Sequence, residues 1–463
     1  MGVGAFMEPL VVVTLLFGGT WVNRNRTYTF PGIHQKQRYS STTSRDVEAE
    51  RSSLSDSDSG YASPKDSELL LSGPRSRSAS PSLLATQESP YRRRQLRILC
   101  WRKNVTSPNT AVFRERMLSR LLLKFPFLVE AWYWALIYWI YQLGRAATAL
   151  TLQEGTVNVA RVHALHLIEL EKKLHIFWEV PIQQFFLGHP ALMDIINPLY
   201  SFIHIPGTIL FLVWLFYYTV TRNRLGSEYK GGKHGGAIDG SPAGPALFEA
   251  RRRTMAVCNL IAFIIFTLWP CMPPRLLSDE SVKGPTGELA RSYGFVDTVH
   301  GGEGKGSVWT ENRFCNQYAA MPSLHFGYAL LVGLTVMTIP LPPQHRRSRM
   351  VKIPIVNGKY SMRLRIPSWH RLLCTTVGFV YPASIIIAII ATANHFIVDA
   401  IAGSMVCALA WWGNGILLNL LPLEDYFLWA VRIHKPERRL VDVLEGNQAE
   451  DGDAIIGHGI LCD

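Results

Sequence analysis

Hydrophobic and polar residues are segregated along this chain in long blocks. A first apolar stretch, Phe6 to Val22, is interrupted by Glu8 and Pro9 and followed by Arg24 and Arg26. From about Tyr28 to Lys103, Ser, Arg, Asp and Pro dominate, as in Arg75-Ser76-Arg77-Ser78-Ala79-Ser80-Pro81. Six apolar segments follow: Phe127 to Leu150, Ile196 to Val220, Met255 to Pro274, Leu324 to Leu341, Leu372 to Ala391 and Phe396 to Leu421. Each approaches the roughly 20 apolar residues that a helix needs to cross a hydrocarbon core. The pattern predicts an all-α polytopic membrane protein with a six-helix transmembrane bundle over residues 127–421. Residues 1–27 have no basic flank ahead of their apolar run, so they read as an anchor rather than a signal peptide; a seventh span stays open. Residues 28–103 are too polar to bury a core and are expected to be a disordered cytosolic tail. Residues 422–463 are expected to form a second cytosolic tail.

Hydrophobic residues make up 48% of the chain against 18% charged, and the net charge is +12. That charge gains meaning when it is mapped onto loops. Between the fourth and fifth segments lie Arg346, Arg347, Arg349, Lys352, Lys359, Arg363, Arg365 and Arg371, with no acid among them. The positive-inside rule makes this loop cytoplasmic. It does the same for Arg222 with Arg251-Arg252-Arg253, and for Arg432, Lys435, Arg438 and Arg439. The loop from Leu277 to Met321 mixes Asp279, Glu280, Glu288, Asp297, Glu303 and Glu311 with Lys283, Arg291, Lys305 and Arg313, and belongs on the opposite, lumenal face. The cluster Arg92-Arg93-Arg94 with Arg97 reads as a solvated cytosolic flank or as a contact for anionic headgroups. Nucleic acid is not an expected partner. The seven cysteines show neither metal-ligand spacing nor a disulfide framework, although Cys271 and Cys315 both lie near the lumenal face and are candidates to pair.

Two motifs at ends of apolar segments carry the chemistry: Pro322-Ser323-Leu324-His325, and His395-Phe396-Ile397-Val398-Asp399. The topology puts both histidines on the lumenal face. Ser323 is placed to cap the fourth span, with His325 in the first turn, where helix N–H groups favour a phosphate. His395 and Asp399 are four apart and share a helix face. A carboxylate there holds one imidazole nitrogen and leaves the other free to attack. The plainer reading has two interfacial histidines and a first-turn acid that complements the helix dipole.

Pro322-Ser323-Leu324-His325 resembles the second signature of the type 2 phosphatidic acid phosphatase superfamily, in which the third residue is usually Gly. Ala393-Asn394-His395 through Asp399, followed by Ala400-Ile401-Ala402-Gly403, resembles its third signature. The resemblance implies that His395 is a nucleophile forming a phosphohistidine, that Asp399 orients it and that His325 protonates the leaving oxygen. Ile389 stands where the phosphatases usually carry an arginine, and their first signature is absent in its usual form. Both departures resemble the inositol phosphorylceramide synthase branch, the inositolphosphotransferase-like members. Implied partners are lipids, a phospholipid donor and a ceramide-type acceptor, and no cofactor or metal is required.

The missing arginines leave a phosphate in need of positive charge. Arg275, at the lumenal end of the third span, is the first candidate, with snorkelling to the interface as the plainer role. Lys305 and Arg313 are on the right face but in a Gly-rich loop. Asn197, Tyr200 and His204 recur at helical spacing and would line a headgroup pocket or tie helices together. Val157 to Glu179, with Arg161, His163, His166, Glu169, Glu171, Lys172, Lys173 and His175 among leucines, reads as an amphipathic helix lying on the lumenal membrane surface. The expectation is a lumenal-facing lipid phosphotransferase of the endoplasmic reticulum or Golgi. The alternatives are a lipid phosphate phosphatase and a non-catalytic lipid-binding or transport protein.

Overall fold

The computed structural model describes residues 4–30, 89–98, 101–151, 155–200, 204–224, 241–298, 318–346, 349–355 and 360–436. Helix α1 (Gly4–Val22) is followed by a hairpin of β1 (Tyr91–Ile98) and β2 (Trp101–Pro108). Then come α2 (Met117–Lys124), α3 (Phe127–Thr151), α4 (Gly155–Lys173), α5 (Glu179–Leu187), α6 (Pro190–Pro198), α7 (His204–Phe216), α8 (Pro245–Leu268) and α9 (Pro285–Ser292). The remainder is α10 (Leu324–Thr338), β3 (Arg349–Ile355), β4 (Tyr360–Ile366), α11 (Trp369–Ala391), α12 (Ile397–Gly413) and α13 (Leu421–Ala430).

Among the described residues, three helical stretches are long and apolar enough to cross a membrane: His204–Arg224, Trp369–Ala391 and Ile397–Ala430. Helices α2 and α3, bent by 103° at Phe125-Pro126, supply a fourth if the pair is one span. These helices mark an integral membrane protein, but the expected count of six is not reached. Helix α8 carries Glu249 and Arg251-Arg252-Arg253 in its first half, so only its second half is apolar. Helix α10 has 15 residues, about 22 Å at the usual rise, short of a hydrocarbon core of roughly 30 Å. The segment expected to start at Ile196 is helical to Tyr200 and again from His204, and residues 201–203 lie outside the described residues.

The bundle is built from α7, α8, α10, α11 and α12, with α1 packed along α7 and α3 against α8. Between apolar helices in lipid, close backbone approach does much of what hydrophobic burial does in water. Gly333 of α10 and Gly378 of α11 meet backbone to backbone, so that a Cβ on either would run into the other's carbonyl oxygen. Gly403 of α12 lies equally close to the Ser323 carbonyl, which brings the start of α10 against α12.

Two expectations are corrected here. The all-α reading missed two antiparallel hairpins, β1 with β2 and β3 with β4. In the second, strands that alternate apolar and basic residues flank Asn357-Gly358, a turn-favouring pair. The first takes the end of the expected disordered tail, including Arg92-Arg93-Arg94. It is held from outside itself: Arg94 donates from Nε and one terminal nitrogen to the Asp425 carboxylate (2.9 and 3.0 Å), Ser107 Oγ donates to the same group (2.6 Å), and Asn419 brackets the Arg97 backbone. The rest of that tail, residues 31–88 and 99–100, lies outside the described residues.

The helix expected to lie on the membrane surface is corrected as well. Helix α4 buries Ala160, Ala164, Leu165, Leu167, Ile168 and also Glu171, packing with Cys271, Met272, Ala320, Ala393 and Phe396. It roofs the chain segments that carry the two motifs, so its apolar face meets protein.

Candidate active site

Three irregular segments converge under α4. The backbone of Cys271 pairs with the segment before α10: Cys271 N donates to Tyr318 O (2.8 Å) and Ala320 N to Cys271 O (3.1 Å). Arg275 N donates to Ala393 O (2.8 Å) in the turn between α11 and α12. That turn is tight. Ala393, fully buried, has a φ of 50°, a left-handed conformation that few residues other than glycine adopt. Asn394 N and His395 N both donate to Ile389 O (3.0 and 3.3 Å), closing the turn.

The two motifs dock on one another through Ser323. Its Oγ accepts Phe326 N (3.3 Å) and so caps α10, as expected, while its own N–H donates to Asp399 O (2.9 Å). This brings His325 and His395 together. His395 Nε2 stands 3.4 Å from His325 Nδ1, and His395 Nδ1 lies 2.8 Å from Ala320 O. A carbonyl only accepts, so Nδ1 of His395 carries the ring proton and Nε2 presents its lone pair. The same logic makes His325 Nδ1 the donor toward His395. Asp399 is wholly buried, and its Oδ2 lies 3.5 Å from His395 Nδ1 while accepting Phe396 N at 2.9 Å. The carboxylate is therefore a helix cap first and a neighbour of the imidazole second. The close partner that sets the tautomer is Ala320 O, which sequence reasoning could not single out because any residue type supplies a carbonyl.

Behind His325 stand Tyr200 and His204, their rings centred 4.9 and 5.0 Å from its own. His204 Nδ1 in turn meets the Tyr381 hydroxyl at 3.3 Å. Tyr381 was not among the residues expected here; nothing in its apolar surroundings on α11 marks it. Asn197 is half-buried on α6, three positions before Tyr200, and residues 201–203, between Tyr200 and His204, lie outside the described residues.

Arg275 is 6% exposed; its Nε donates to Asn394 Oδ1 (2.9 Å) and a terminal nitrogen to Asp297 Oδ2 (3.2 Å). The guanidinium is thus bonded to the residue next to His395, and snorkelling to the interface does not describe it. Ile389 is fully buried among Ala329, Ile385, Ile390 and Ala400, a core position with no access to a phosphate. Lys305, Arg313 and the proposed partner of Cys271, Cys315, lie outside the described residues.

A protein-family model, described as the PAP2 superfamily, aligns with residues 165–225, 243–353 and 362–413. The chain matches the PAP2 superfamily. The match takes in α4 from Leu165 onward, the segment 271–275 and both histidine motifs, and it supports the type 2 phosphatidic acid phosphatase superfamily as the chain's place. Members of the superfamily are phosphatases or phosphotransferases acting on lipids, and the match suggests one of these activities. No curated protein and no solved structure matches the chain.

Proposed function

We propose that this PAP2-type protein transfers a phosphoryl-bearing headgroup between lipids through a phosphohistidine on His395. The observation that supports this best is the facing pair of imidazoles, one nitrogen of His395 held by Ala320 O and the other turned toward His325. His395 Nε2 attacks phosphorus, and the lipid alkoxide leaves with a proton from His325. The acceptor hydroxyl then attacks phosphorus and gives its proton to His325 as the P–N bond breaks. Asp399 stabilises the imidazolium, Arg275 and the α10 N-terminus hold the phosphate oxygens, and Tyr200 and His204 back His325.

The charge of the site favours transfer from a phosphodiester. Ile389 replaces a cation, and a diester carries one negative charge where a phosphate monoester carries up to two. A single arginine in a low-dielectric pocket suits the smaller charge. The reading is therefore a phosphoinositol transferase using phosphatidylinositol and a ceramide-type acceptor, with the site facing the lumen of the endoplasmic reticulum or Golgi.

Purified protein in lipid nanodiscs, given labelled phosphatidylinositol with ceramide and, separately, phosphatidic acid, tests this. Headgroup transfer to ceramide that His395→Ala abolishes is the expected result. Phosphate release from phosphatidic acid with no transfer product selects a lipid phosphate phosphatase instead, and turnover retained by His395→Ala removes the nucleophile.

A further inference from the structure

Three backbone N–H groups open α12, and each is taken by a different carboxylate. Phe396 N donates to Asp399 Oδ2 (2.9 Å), Ile397 N to Glu179 Oε1 (2.8 Å) and Val398 N to Glu171 Oε1 (2.9 Å). Glu171, on α4, and Glu179, at the start of α5, are both fully buried. Their second oxygens have no hydrogen-bond partner among the described residues. The two carboxyls hold adjacent N–H groups of one helical turn, which sets them side by side.

Buried side by side, the pair is held together only if one carboxyl carries a proton, since two carboxylates offer acceptors alone. The helix N-terminus supplies about half a positive charge, too little to hold three buried carboxylates ionised. Burial, and next the neighbouring Glu179, push the Glu171 carboxyl up to about 9. Burial raises Glu179 too, so the pair shares one proton. From α12 the ionisable group facing the pair is Asp399, with His395 beyond it, and from the segment after α8 it is Cys271. The nearby cations are engaged elsewhere. Arg275 bonds Asn394 and Asp297, and Lys172, next to Glu171 in sequence, lies over the Phe177 and Tyr293 rings. Among the described residues no group of three His, Cys, Asp or Glu side chains is arranged to hold a metal ion.

We propose that Glu171 and Glu179 are positioning residues for the nucleophile: a singly protonated carboxyl–carboxylate clamp that fixes the first turn of α12, and with it Asp399 and His395, beneath α4 and α5. Removing the shared proton puts two adjacent negative charges beside Asp399 and drives the clamp open. His395 is then no longer held at Ala320 O. The activity consequence rests on the phosphohistidine reading above, whereas the stability consequence does not.

Glu171→Gln is the deciding variant, because its amide donates to Glu179 and accepts from Val398 N as the protonated acid does, but at every pH. Wild-type turnover is expected to fall on the alkaline side near pH 9, and Glu171→Gln to keep wild-type turnover at pH 7 while losing that alkaline limb. Glu171→Ala, which removes the clamp, is expected to lower kcat by about 100-fold, the scale of a 1 Å misplacement of reacting groups. Thermal unfolding of the same nanodisc samples gives the second readout. Between the ordinary carboxyl value of 4.5 and about 9, folded Glu171 keeps a proton that the unfolded chain has released. The folded state therefore loses stability as pH rises through that window and no further above it. Glu171→Gln should flatten that slope. An unchanged slope, or an alkaline limb that survives in Glu171→Gln, overturns the clamp. A flattened slope in a protein that transfers no lipid phosphoryl group keeps the clamp and removes the catalytic reading.

Discussion

Asp399 serves two groups with one oxygen, and the two demands can be separated. Its Oδ2 caps the start of α12 by accepting Phe396 N at 2.9 Å, and the same atom stands 3.5 Å from His395 Nδ1. Asn at this position keeps an acceptor for the N–H and discards the charge; Ala discards both. Asp399→Ala is expected to cost about 1–3 kcal/mol of stability, because it strands a buried N–H, while Asp399→Asn unfolds close to the wild type. Both are expected to lower kcat by about 100-fold, the low end for losing an acid–base partner, because Ala320 O still holds the tautomer. Thermal unfolding alongside single-turnover kinetics checks the split, and an active Asp399→Asn would leave the carboxylate a purely structural cap. The residue types of this pair were legible in the sequence. The carbonyl that competes with the carboxylate for His395 was not, because backbone partners carry no residue signature.

At the scale of elements, the site depends on how closely α10 and α12 approach. Gly403 makes that possible, since any Cβ there meets the Ser323 carbonyl. Gly403→Ala is expected to cost about 1–3 kcal/mol by overpacking and to lower turnover by parting His325 from His395. Gly18→Ala in α1, where nothing lies within 4 Å, is a matched control, expected to be neutral or to stabilise by about 0.5–1 kcal/mol through helix propensity. Equal effects at the two positions in thermal unfolding would remove the close-packing argument. Helices were readable from runs of apolar residues: α11 ends and α12 begins at the expected positions, while α12 gives way at Gly413, before the expected end at Leu421. The hairpin of β1 and β2 was not readable, because Arg-rich strands show no apolar alternation. They hold their place through Asp425 and Asn419, more than 300 residues away.

At the scale of the whole molecule, loop charge leads to the expectation that the site lies on one membrane face and the basic connections on the other. An Asn-X-Thr acceptor built into the exposed turn at Gly284 is expected to be glycosylated in cells, and one beside Gln344 is not. The opposite pattern would invert the topology. The membrane character and the approximate places of the principal apolar helices were legible in the sequence alone, and the proposal of His325, His395 and Asp399 as the reacting residues came from it. Long apolar runs and side-chain chemistry at fixed local spacing are properties of the chain read in order. The tertiary structure decided the rest. It shortened α10, placed Arg275 against Asn394, and moved α4 from the membrane surface to the roof of the site. It also brought Glu171 and Glu179 to the N–H groups that open α12. Those outcomes turn on which segments pack together across 70 to 230 positions of chain, and contacts at such separations leave no local pattern to read.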